Sequence, residues 1–265
     1  MRKLLFALTV AGSFIMNSCS KNDGGVNIFS IEDDKNLGLQ VKQEIESNPA
    51  QYPLISKSAN PDAYTYLEGI RNDILASGEL SHKDDFAWEV NIINDDSTLN
   101  AFCTPGGYIY VYTGLIKFLD NKSSLAGVLG HEMAHADKRH STEQLTKAYG
   151  IQTLLSVALG DNQGLLTEIA SSLVSLSFSR SDESEADKYS VIYLCPTKYR
   201  ADGAADFFQK LESMGTSNPP EFLSSHPNPD NRIQNIESEA NSLGCSTTIT
   251  QQEEVNSYAT FKSGL

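Results

Sequence analysis

A helix obliged to carry two histidines on one face constrains this chain more than any other feature of its sequence. In GVLGHEMAHADKRH, Gly127 to His140, His131 and His135 stand four residues apart. An α-helix brings such residues to the same face, about one turn from each other. Asn121, Ser123 and Ser124 offer N-caps ahead of the segment, and Leu125, Val128, Leu129 and Met133 give it a buried stripe. Two imidazoles in that relation suit two ligands of a tetrahedral zinc ion. Glu132 lies about 100° further round, where it can take a proton from an attacking water without ligating the metal. The histidines of the whole chain fall at 82, 131, 135, 140 and 226, so three within this one stretch are not a random scatter.

A catalytic zinc takes three protein ligands and keeps a fourth position open. His140 follows His135 by five residues, and Lys138 and Ser141 stand where a metzincin needs Gly and His. It is expected to be a solvated histidine near the helix end, favoured there by the helix dipole. The third ligand is sought in SFSRSDESEADKYS, where Glu183 and Asp187 again share a helical face. Glu183 suits a ligand, Asp187 suits a group that orients a histidine or pairs with an arginine, and Glu185 points elsewhere as a surface charge.

The ends of the chain speak about location. MRKLLFALTVAGSFIMNSC opens on Arg2 and Lys3, runs apolar from Leu4 to Met16 and reaches Cys19 through polar residues. Residues 1–18 are expected to be a secretion signal. Cys19 resembles the acylated first residue of bacterial lipoproteins, with residues 19–34 as a polar tether. Without Arg2 and Lys3, 18 basic residues face 34 acidic ones, a net charge near −16. That balance argues against nucleic acid or anionic lipid as a partner, so any membrane attachment would be by lipid. With Cys19 acylated, Cys103, Cys195 and Cys245 are an odd number, and Cys195 with Cys245 is a candidate disulfide.

Between the ends, residues 35–245 are expected to form one domain. Leu37 to Glu46 and Tyr64 to Ala76 have helical spacing, while FAWEVNII and GGYIYVYTG have the aromatic and β-branched content of strands. In the second strand Tyr108, Tyr110 and Tyr112 alternate with Ile109 and Val111, which suggests a half-exposed sheet face. Residues 246–265 are polar and are expected to be a mobile tail or a peripheral strand.

Four segments in order resemble the zinc peptidases of the type-1 CAAX prenyl protease and HtpX family, in particular its soluble or lipid-anchored periplasmic branch: NAFCTPGGYIYVYTGLI, HEMAHADKRH, SRSDESEAD and SSHPNPDNRI. The resemblance implies an α+β gluzincin fold, mainly helical, with a small sheet whose edge strand borders the zinc site. It implies that His131, His135 and Glu183 bind one zinc ion and that Glu132 is the general base. It implies further that Asp187 and Arg232 support the site, and that His226 reaches the reacting carbonyl or occupies the metal's open position at rest. Gly107, Tyr108, Ile109 and Tyr110 are then expected to pair with an extended substrate backbone. The activity implied is endopeptidase cleavage of unfolded or misassembled envelope proteins, with outer-membrane assembly machinery as a partner. The alternative is a chaperone-like, client-binding lipoprotein whose zinc site is latched.

Overall fold

The computed structural model describes residues 29–215, 221–228, 230–248 and 251–265. Cys19, the signal segment 1–18 and the tether up to residue 28 lie outside the described residues. In chain order the elements are α1 (Ile31–Ser47), α2 (Pro61–Ala76), β1 (Glu89–Ile93), β2 (Ala101–Thr104), β3 (Tyr108–Tyr112), α3 (Thr113–Phe118), α4 (Lys122–Asp137), α5 (His140–Tyr149), α6 (Ile151–Ala158), α7 (Gln163–Val174), α8 (Arg180–Leu194), α9 (Gly203–Ser213), α10 (Glu221–Ser225), α11 (Arg232–Ser242) and α12 (Gln251–Ser263). The class is α+β, as expected. No helix among the described residues is long and apolar enough to cross a membrane.

Helix α4 carries the two histidines and runs through the middle of the molecule. Asn121 caps it by accepting from the Ser124 amide at 2.8 Å. Its residues from Ser123 to Asp137 are buried on every side, so the expected one-sided stripe is too narrow a description. Close crossing by α9 explains part of that burial. A Cβ at Gly127 would lie 2.2 Å from the Ala204 nitrogen, and one at Gly203 would lie 2.1 Å from the Ser123 oxygen. Glycine at both positions lets the two backbones touch. Helix α8 crosses the histidine-bearing part of α4, and a capping box fixes where it begins. Ser179 Oγ accepts from the Asp182 amide at 3.1 Å, and Asp182 accepts from the Ser179 amide at 3.0 Å, which puts Glu183 in the first turn.

The sheet has three strands in the order β1-β3-β2, with β1 parallel and β2 antiparallel to β3. This corrects the expectation for Gly107 to Tyr110: Gly107 ends a short turn over Pro105–Gly107, and Tyr108 to Tyr110 lie in the central strand β3, whose backbone is already paired on both sides and cannot accept a substrate strand. The outer edge, beside α4, belongs to β2. The tyrosine face is not half-exposed either. Tyr108, Tyr110 and Tyr112 are covered by α1, α6 and α7 through Leu37, Val41, Leu154 and Ile169. Ile109 and Val111 enter a second cluster with Leu67, Ile70 and Met133. Each fully buried side chain of this size contributes about 1.5–3 kcal/mol, so both faces of the sheet hold the fold together.

Two expected boundaries move. Helix α1 starts inside the presumed tether: Ser30 forms a capping box with Asp33, Phe29 is buried, and the Asp34 carboxylate takes hydrogen bonds from Arg139 and Thr142. The presumed tail over 246–265 contains α12, whose Tyr258 and Phe261 sit in the main core. The Tyr258 hydroxyl donates to the Ile116 carbonyl at 2.7 Å. Polar neighbours hide these two aromatics, three residues apart, from a composition-based reading. The expected Cys195–Cys245 disulfide is present, joining the end of α8 to the turn after α11, and Cys103 is a buried free thiol.

Candidate metal centre

Four buried side chains converge where α4, α8 and the segment between α10 and α11 meet. One ligand atom each from His131, His135, Glu183 and His226 lies within 4.8 Å of the others, a group that could hold a metal ion. His131 Nε2 and His135 Nε2 are 3.0 Å apart. Glu183 Oε2 is 3.5 Å from the first and Oε1 is 3.3 Å from the second. His226 Nδ1 stands 3.0 Å from Glu183 Oε1 and 3.4 Å from His131 Nε2. The donor set fits zinc, because two imidazole nitrogens and a carboxylate point inward while the outward nitrogens of His131 and His135 have partners elsewhere.

Glu132 lies beside this group. Neither of its carboxylate oxygens has a hydrogen-bond partner among the described residues, and Oε1 is 3.6 Å from His226 Nε2. Burial pushes its carboxyl up to about 7, a value at which it can both take and release a proton. Burial also holds the His135 ring well below its ordinary value, so it stays neutral and ready to ligate. At Glu183 burial acts the other way, but the His226 charge and the hydrogen bonds from the three histidines outweigh it and keep the carboxyl well below its usual range.

Asp187 and Arg232 lie beside His131 and Glu183. Asp187 Oδ1 is 2.9 Å from His131 Nδ1. Arg232 Nη2 donates to Asp187 Oδ1 and to Glu183 Oε2, both at 2.8 Å, and its guanidinium lies over the Phe208 ring at 3.8 Å. Arg232 Nη1 is buried without a partner among the described residues.

Other residues of the site escaped the sequence. Phe178 stacks on His135 with ring centres 3.9 Å apart, and Phe222 stacks on His226 at 4.2 Å. The Phe178 amide donates to the Ser225 carbonyl and the Phe222 amide to the Leu99 carbonyl, each at 3.1 Å, which seats the His226 segment against the start of β2. No local pattern announces these pairings. His140 needs outright correction, and Glu185, though 43% exposed as a surface charge would be, is its partner. His140 is 3% exposed rather than solvated, its Nδ1 is 3.0 Å from His135 Nδ1, and its Nε2 is 3.0 Å from Glu185 Oε2. In an unbroken helix a residue five positions on lies about 140° away. Here Arg139 adopts left-handed torsions (φ 64°, ψ 26°) and turns the chain back toward His135.

The edge of β2 faces this centre. Tyr112 donates to the Asn100 carbonyl, so by antiparallel alternation Ala101 and Cys103 turn their backbone groups away from β3. The Cys103 carbonyl accepts from Ser141 Oγ at 3.0 Å, and the Ala101 amide donates to Asn100 Oδ1 at 2.9 Å.

Several known proteins are similar to this chain. The mitochondrial metalloendopeptidase OMA1 of Arabidopsis thaliana is 34% identical over 158 residues, 59% of this chain and 32% of that protein. The beta-barrel assembly-enhancing protease of Yersinia pestis is 27% identical over 242 residues, 85% of this chain and 47% of its own length. The OMA1 metalloendopeptidase of Schizosaccharomyces pombe is 29% identical over 218 residues, 80% of this chain and 62% of its own. The chain therefore spans less than two thirds of the length of each of these relatives. Residues 61–240, which hold every side chain of the centre, match the model of peptidase family M48, and the chain belongs to that family of zinc metallopeptidases.

Proposed function

We propose that the chain is a lipid-anchored endopeptidase of the cell envelope that cuts unfolded or misassembled proteins, within the CAAX prenyl protease and HtpX branch of its family. The observation that carries this reading is the convergence of His131, His135 and Glu183 beside a Glu132 carboxylate that has no hydrogen-bond partner among the described residues. His131, His135 and Glu183 would hold the ion. When bound, zinc supplies a Lewis acid that polarises the scissile carbonyl and makes an attacking water more acidic. Glu132 takes the proton of that water and returns it to the departing amine. Arg232 Nη1 and the His226 ring are the donors available to the negative charge that develops on the carbonyl oxygen.

Substrate is proposed to add as an extended strand along β2, through the Ala101 carbonyl and the Cys103 amide, in place of the β3 residues expected from the sequence. Main-chain pairing tolerates many sequences and needs an unfolded segment, which suits quality control. Acylation at Cys19, a leader over 1–18 and service to outer-membrane assembly extend the proposal; the last draws on the name of the Yersinia pestis relative.

A second reading is favoured by His226. Its Nδ1 lies among the other three ligand atoms, as a fourth ligand would, so the site also suits a latched protein that binds clients and seldom cuts them.

The test is cleavage of casein by the mature, zinc-loaded chain beside Glu132→Gln and His226→Ala. Loss of about 100-fold or more in Glu132→Gln, with zinc content unchanged, is expected of a general base. Equal cleavage by wild type and Glu132→Gln overturns the mechanism. No cleavage by wild type with cleavage by His226→Ala supports the latch, and stable casein binding without cleavage by either supports the client-binding reading.

A further inference from the structure

His135 Nδ1 has His140 Nδ1 as its hydrogen-bonding neighbour at 3.0 Å, and the far nitrogen of His140 meets Glu185 Oε2, also at 3.0 Å. Further contacts hold this geometry in place. Arg139, whose left-handed backbone makes the turn between α4 and α5, bonds through its guanidinium to Asp34 and to the carbonyls of Phe29 and Ser30. On the other side of His140, Ser141 Oγ donates to the Cys103 carbonyl at 3.0 Å and fastens the start of α5 to β2. The His140 ring meets that of His135 nearly edge-on, at 74°.

Proton counting gives the contact a direction. His135 turns Nε2 toward His131 and Glu183, so an ion held there occupies the Nε2 lone pair and the ring's hydrogen must sit on Nδ1. That hydrogen then needs an acceptor, which is the bare Nδ1 of His140. A neutral His140 with a bare Nδ1 carries its own hydrogen on Nε2, and Nε2 faces the Glu185 carboxylate. The hydrogens of the chain from His135 to Glu185 therefore have one consistent arrangement, every N–H donating away from the ion. A ligating imidazole so held keeps its tautomer and ring plane and becomes a stronger donor.

We propose that His140, oriented by Glu185, is the positioning residue for the ligand His135, so that zinc affinity depends on an imidazole that touches neither metal nor substrate. This rests on the reading of His131, His135 and Glu183 as zinc ligands.

The test is the zinc dissociation constant of the mature chain, measured by competition with a chromogenic chelator. It is made on wild type, His140→Phe, His140→Asn, Glu185→Gln and, as control, His131→Ala. His140→Phe fills a similar volume without an acceptor and is expected to weaken zinc binding by about 10–100-fold. His140→Asn can place an oxygen near the former Nδ1 and is expected to recover most of that loss. Glu185→Gln still accepts from Nε2 and is expected to have a smaller effect than His140→Phe. Wild-type affinity in His140→Phe overturns the proposal, as does a loss in His140→Asn equal to that in His140→Phe, which would indicate packing alone. Unchanged affinity in His131→Ala would instead defeat the ligand assignment on which the proposal rests. Independently of affinity, a long-range proton–nitrogen NMR spectrum of the zinc-loaded chain should show His135 with its hydrogen on Nδ1 and His140 with its hydrogen on Nε2. The opposite tautomer at His140 overturns the proposal.

Discussion

His131 and His135 stand one turn apart on one helix, yet their outward nitrogens meet unlike surroundings. His131 is backed directly by a carboxylate, Asp187, whose charge is answered by Arg232 in a pair buried to within a few per cent. His135 is backed by another imidazole, His140, and the carboxylate behind it, Glu185, keeps 43% of its side chain exposed. The contrast follows from the charges already present. Glu132, Glu183 and Asp187 are buried acids, and of the described arginines and lysines Arg232 is the one that pairs with Glu183 and Asp187. Repulsion between charges is strong where water is excluded, so a further carboxylate in direct contact with His135 would lack compensation. An imidazole spacer orients the ligand and leaves the extra charge at the surface.

The comparison predicts unequal damage. Asp187→Asn is expected to do the most, since it leaves the buried Arg232 guanidinium without its main counter-charge. Removing one partner of a buried pair costs about 3–5 kcal/mol, and urea unfolding of the metal-free chain should show it. Zinc binding should also weaken by about 10–100-fold, because the carboxylate behind His131 is replaced by an uncharged and weaker acceptor. His140→Phe is expected to match that loss of affinity while leaving the metal-free stability much closer to wild type. Glu185→Gln comes last. Its side chain is 43% exposed, and exposed ion pairs contribute about 0–1 kcal/mol, so the melting temperature of the metal-free chain should move little. A Glu185→Gln loss of stability as large as that of Asp187→Asn would break the comparison.

What could be read without the structure divides along the same line. His131, Glu132 and His135 are legible from the spacing within one helix, and Glu183 and Asp187 share a helical face by the same rule but stand out from an ordinary acidic face only beside the upstream histidines and the resemblance. His226 and Arg232 came from resemblance, since no local rule places a turn from near the C-terminal end beside α4. His140 was misplaced because one left-handed residue, Arg139, cancels the helical arithmetic that would turn it away from His135. Tyr258 and Phe261 were passed over in a polar segment that folds only because a groove beside α2 and α4 receives them.

The sequence alone determined a helix with His131 and His135 on one face, the Glu132 that follows the first of them and a second helix with Glu183 and Asp187 on one face, because each is a short-range pattern held by backbone hydrogen bonds. Tertiary structure alone decided which strand lies at the edge, which aromatic rings close over the centre and what stands behind His135. Strand pairing, ring stacking and the turn at Arg139 join residues from separate elements, and their partners are chosen by how those elements pack.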